Sequence, residues 1–178
     1  MTNALHQLNI AYNPIEDRLI LRMTAGSPGD LLEYRLWLTR RFVKLLWNVL
    51  DQMLETEARR DSRVSIESLD AFKQFQQSDA LAQSDFKTAY QAESARTPLG
   101  ADPLLISRFQ VSRGPEGNQV LSLQTQAGQT LNLTLNASLI HSIRKLLLDK
   151  VLEAQWDLAG LNLSDEPIYL AETSKSIN

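Results

Sequence analysis

The chain contains no cysteine. Disulfides, thiolate catalysis and cysteine-held zinc or iron–sulfur centres are therefore excluded. There are two histidines, His6 and His141, and no acidic pair flanks either at metal-ligand spacing. Each reads as a surface or partly packed side chain, so no metal and no cofactor is expected. Glycine is scarce, at seven residues, and most of these have an evident turn role. Ala25-Gly26-Ser27-Pro28-Gly29 is glycine-rich only locally. It lacks the Lys-Ser/Thr pair of a phosphate loop and joins two expected strands instead of leading into a helix. No serine sits in a Gly-x-Ser-x-Gly elbow. No stretch approaches the ~18 apolar residues that span a bilayer. Met1 to Tyr12 lacks the basic start and continuous apolar run of a signal peptide. A cytoplasmic chain with no membrane association is expected. Neither charge sign dominates: 18 basic against 21 acidic side chains give a formal charge of -3. That balance argues against a strongly basic nucleic-acid binder.

What the sequence does contain is alternation. Leu8, Ile10 and Tyr12, then Leu19, Leu21 and Met23, then Tyr34, Leu36 and Leu38 alternate with polar or small residues, as half-buried strands do. Turn chemistry at Asn13-Pro14-Ile15-Glu16-Asp17 and Gly26-Ser27-Pro28-Gly29-Asp30 separates them. Thr39 is placed to cap a helix whose apolar stripe is Phe42, Leu45, Leu46, Val49, Leu50, Met53 and Leu54. The plan recurs downstream. Leu105, Phe109 and Val111 suggest a strand; Leu121 and Leu123, then Leu131, Leu133 and Leu135, give two more. Asn136 caps a helix lined by Leu139, Ile140, Ile143, Leu146, Leu147 and Val151. Laying Thr39 on Asn136 superimposes both helices and the strands before them without a gap.

The expected fold is α+β: two β-β-β-α repeats from an internal duplication, 8–54 and 104–156, packed as one domain over 1–178 with pseudo-twofold symmetry. A partly helical insert, 55–103, lies between them. In it, Ile66, Leu69, Phe72 and Phe75 line a helix beginning near Ser65, and Phe86 and Tyr90 anchor another. The tail, 157–178, is expected to dock and then fray at its end.

Carboxylate pairs such as Glu16-Asp17, Glu55/Glu57 and Asp165-Glu166 sit in turns, helix ends or the tail, and nothing marks one as a raised-pKa acid. No catalytic residue is assigned. One constellation stands out. With Leu19, Leu21 and Met23 inward, Arg18, Ile20 and Arg22 face outward; Glu33, Arg35 and Trp37 do the same on the third strand. Arg40, Arg41 and Lys44 then place cations at a helix N-terminus, against its macrodipole. The candidate interaction face is therefore Arg18, Arg22, Arg35, Trp37, Arg40, Arg41 and Lys44. The matching face of the second half, Ser122, Gln124, Asn132 and Thr134, is neutral.

The tandem sheet-plus-helix layout resembles that of the Whirly and Pur-alpha single-strand binders, whose repeats usually carry four strands. The resemblance implies single-stranded nucleic acid as a partner, with Trp37 stacking on a base and arginines on phosphates. The reading from the residues is instead a non-enzymatic protein-interaction or self-associating module, because Trp and Arg are favoured interface anchors. An enzyme whose site is assembled only in space is a further alternative. Residues 1–54 hold six basic and five acidic side chains, whereas 55–103 hold six and nine. The acidity therefore belongs mainly to the insert, which could cover the arginines.

Overall fold

A computed structural model describes residues 5–27, 29–60, 68–92, 95–114 and 118–157. The first three alternating segments form an antiparallel meander of β1 (Leu5–Asn13), β2 (Arg18–Ser27) and β3 (Asp30–Leu38). Helices α1 (Arg40–Ala58) and α2 (Leu69–Gln83) follow. Strands β4 (Leu104–Arg113), β5 (Gln119–Thr125) and β6 (Thr130–Leu135) and helix α3 (Ala137–Glu153) complete the order. All six strands join one sheet in the order β1-β2-β3-β4-β5-β6, whose single parallel pair is β3 with β4. The fold is α+β.

The expected twofold relation between the halves is not met. A twofold axis would set third strand beside third, or first beside first. Here the third strand lies beside the fourth and parallel to it, so the halves follow one another head to tail.

Both expected caps form. Thr39 Oγ1 accepts from the Phe42 amide, and Asn136 Oδ1 from the Leu139 amide. Each satisfies one of the amides that a helix start leaves unpaired. Gly26, at the β2–β3 reversal, has φ +119°, and a Cβ there would stand 2.5 Å from the Asp30 carbonyl oxygen. Only glycine fits.

Both long helices pack on one face of the sheet and share one apolar core with its inward side chains. Each reaches the other half's strands. In α1, Phe42 meets Phe109 of β4 edge-on at 5.2 Å, and the Met53 carbonyl accepts from Gln119 Nε2 of β5. Helix α3 packs along β1, and beyond its end Trp156 meets Tyr12 edge-on at 6.1 Å. Between the helices, Arg144 lies over the Trp47 ring at 4.4 Å and bonds Asp51. Helix α1 accordingly buries Trp47 beyond the expected stripe, and Val43 and Ala58 as well. Since burying a Leu- or Phe-sized side chain contributes about 1.5–3 kcal/mol, the exchange of helices ties the halves into one core.

In the insert, helix α2 carries Leu69, Phe72 and Phe75 of the expected stripe and rests on α1 and α3, whereas the expected start near Ser65, with Ile66, falls on residues 61–67, outside the described part. No helix forms around Phe86 and Tyr90. Phe72 is half-buried, but Phe75 and Phe86 are 71% and 43% exposed, so they are not the expected anchors. The expected docking of the tail falls on residues 158–178, outside the described part; Trp156 itself is buried.

Candidate interaction face

The helices cover one face of the sheet, and the candidate residues on β2 and β3 occupy the other. Register places them in cross-strand rows. Asn9, Arg22 and Arg35 form one row, and Ala11, Ile20, Trp37 and Leu105 form the next. Every member of the second row is half-buried. Leu105 belongs here because β4 carries a bulge between Ile106 and Arg108. An unbroken alternation would put Leu105 on the same face as Phe109 and Val111. The extra residue reverses that, turning Ile106 into the core and Leu105 outward beside Trp37. Arg108, exposed on β4, pairs with Gln124 on the same open face.

Part of this face is roofed by the insert. After α2, the Gln91 amide donates to Gln7 Oε1 of β1, and residue 96 adds to β3 through a bridge to Leu32. Just before Gln91, Tyr90 packs onto the sheet. Its hydroxyl donates to Glu33 Oε1 at 3.2 Å, and Arg22 lies over its ring at 5.0 Å. Glu33, outward-facing by alternation, is consequently 2% exposed. Its other oxygen accepts Arg35 Nε and Nη2 at 2.9 and 2.6 Å, and Arg35 Nη1 donates to the Ala101 carbonyl. Arg22 donates twice to Asn9 Oδ1. Two of the candidate arginines thus have guanidinium donors occupied within the chain. Burial and the adjacent Glu33 carboxylate push the Tyr90 hydroxyl well above the ordinary tyrosine range. The Glu33 bond holds Arg35 even more firmly protonated. Tyr90 is legible in the sequence as an anchor of the insert, but its position over Glu33 has no local signature.

The seven candidate residues do not form one surface. Arg18, Arg22, Arg35 and Trp37 share the open face, with Arg18 3.7 Å from Glu16. Arg40 instead turns to the helix side, 2.6 Å from Asp17 and over the Trp156 ring at 5.3 Å. Arg41 is exposed and Lys44 half-buried on α1, which packs against the sheet's inner face. Asp17 is held below the usual carboxylate range, first by the Trp156 bond. Glu57, an ordinary helix-end carboxylate by sequence, is pushed up by burial.

A cleft of about 520 Å³ opens between β1, α3 and the segment after α2, lined by Leu5, Leu8, Phe86, Leu139 and Ile143 among others. Its polar groups are largely paired: Ser84 Oγ with Ser142 Oγ, and Asp85 with the amides of Lys87 and Thr88. His141 is buried, not a surface residue, and burial lowers its pKa to about 4.

Comparison of the chain with protein-family models, curated proteins and solved structures finds no match.

Proposed function

We propose that the chain is a non-enzymatic protein-interaction module whose contact surface is the open face of the sheet around Trp37. The observation that carries this reading is the row Ala11, Ile20, Trp37 and Leu105, an apolar band crossing four strands on the face opposite the helices. Aromatic and aliphatic side chains of this kind, ringed by arginine, act as interface anchors. Arg22 and Arg35 beside the band are engaged within the chain, and Arg18 and Arg108 also lie on this face, so the partner it suits presents an apolar anchor beside acidic residues. We further read the head-to-tail order as two β-β-β-α repeats that diverged on their outer faces, and we place the chain in the cytoplasm.

Single-stranded nucleic acid is the competing reading, since Trp37 could stack on a base. It is the weaker one because Arg22 and Arg35 spend their donors on Asn9, Glu33 and Ala101. Titration with labelled single-stranded DNA and RNA at low and moderate salt separates the two. Little binding is expected. A tight, salt-sensitive complex weakened by Trp37→Ala would replace the protein reading with the nucleic-acid one.

A further inference from the structure

The two edges of the sheet are built differently. At β1 the edge carries a register shift between Leu5 and Gln7, α3 packs along it, and the Gln91 amide bonds Gln7. Bulges and covering segments are the usual protection of an edge strand. At β6 none of these devices is present among the described residues. The strand is regular from Thr130 to Leu135, paired on one side with β5 and on the other with no described segment. It contains no proline and no charge. From Gly117 to Ile143, indeed, the chain has no Asp, Glu, Lys or Arg. Proteins commonly guard an open edge with lysine, so this neutrality calls for a partner.

The partner is indicated by symmetry. Thr130-Leu131-Asn132-Leu133-Thr134 reads the same in both directions. Two antiparallel copies centred on Asn132 would set Thr130 opposite Thr134 and Leu131 opposite Leu133. Inward residues then meet inward residues across the axis. A twofold axis also brings residues near it against their own kind, which a charged strand resists and this neutral one does not. Leu131 and Leu133 are half-buried against the core and would be completed by their counterparts. Asn132, exposed, accepts from Ser122 through Oδ1, which leaves its side-chain amide to donate across the axis.

We infer that the chain forms a twofold homodimer by antiparallel pairing of β6 with β6 of a second copy, joining the two sheets into one. This contact is separate from the open face around Trp37 and stands or falls independently of that reading.

Sedimentation velocity of the full chain from about 1 to 100 µM tests it, with Asn132→Lys and Thr134→Lys as variants and far-UV circular dichroism to show that each is folded. The expected result is a dimer that Trp37→Ala leaves intact. Asn132→Lys should weaken it at least about tenfold, since residue 132 faces its own copy and like charges then meet across the pair; Thr134→Lys, which faces Thr130, should weaken it less. Because the chain has no native cysteine, Asn132→Cys adds a register test. It should cross-link rapidly on mild oxidation, whereas Gln124→Cys, one strand inward, should not. A monomer throughout that range, a dimer indifferent to both lysines in folded variants, or a dimer that Asn132→Cys fails to cross-link would overturn the inference.

Discussion

The indole Nε1 of Trp156 donates to Asp17 Oδ1 at 2.8 Å, joining the chain beyond α3 to the β1–β2 turn. The same carboxylate accepts the Tyr12 hydroxyl and pairs with Arg40. One aspartate in a surface turn therefore gathers the ends of both crossing helices. Trp156→Ala should cost about 3–5 kcal/mol in urea unfolding, because a large buried ring is lost. Asp17→Asn should cost less and flatten the acid limb of the stability curve. The Asp17 pKa is lowered on folding, so its contribution is present above the unfolded carboxylate pKa and fades as pH falls through the folded one. An Asp17→Asn protein whose stability falls with acid as steeply as wild type would contradict this role.

His141 supplies a second and distinct pH effect. Burial lowers its pKa to about 4, with Arg144 adding to the shift and Asp51 opposing it. The unfolded chain then binds this proton near pH 6.5 and the folded chain does not. Stability should be full above about pH 6.5 and decline by about 2–3 kcal/mol as pH falls toward 4. Chemical denaturation at stepped pH should show this slope in wild type and its loss in His141→Phe. A wild-type curve that is flat between pH 6.5 and 4.5 would refute it.

The Glu33–Tyr90 contact should govern how firmly the insert holds the sheet. Tyr90→Phe removes one hydrogen bond and should cost about 1 kcal/mol. Glu33→Ala leaves Arg35 short of its carboxylate and should cost about 1–3 kcal/mol, discounted because Arg35 is partly exposed. Hydrogen exchange should quicken in both variants at the Arg96 and Glu33 amides, which bond across the bridge. Unchanged exchange there would mean that Tyr90 does not pin the segment.

Trp37 should matter little for folding. It is half-buried on a face that the core does not use, so Trp37→Ala should change stability by under about 1 kcal/mol in denaturant titration. A loss of 3 kcal/mol or more would make Trp37 a structural side chain and remove the basis of the proposed function.

The strands and both capped helices were legible in the sequence because they rest on local rules. Alternation marks a half-buried strand, and a Thr or Asn before an apolar stripe marks a helix start. Thr39 and Asn136 behave accordingly. What each stripe packs against was not legible. Phe42 and Leu139 announce only that a face must be buried, while the exchange of helices depends on the parallel β3–β4 junction, which no local pattern encodes. The bulge after Ile106 was hidden for the same reason, and with it the outward turn of Leu105. Of the candidate face, alternation placed Arg22, Arg35 and Trp37 on one side. It could not show that Glu33 beside them is buried, because its cover comes from Tyr90, 57 residues away. The grouping of Arg40, Arg41 and Lys44 with that face followed from their nearness in sequence alone.

The band around Trp37 is the proposed protein-binding surface. Quantitative affinity purification of the tagged full chain from its own cells, beside Trp37→Ala and Arg108→Glu, tests it most directly. The account predicts at least one protein retained by the wild type and reduced about tenfold or more by each folded variant, as expected when an interface anchor or a complementary charge is removed. No retained protein, or retention indifferent to both substitutions, would contradict it.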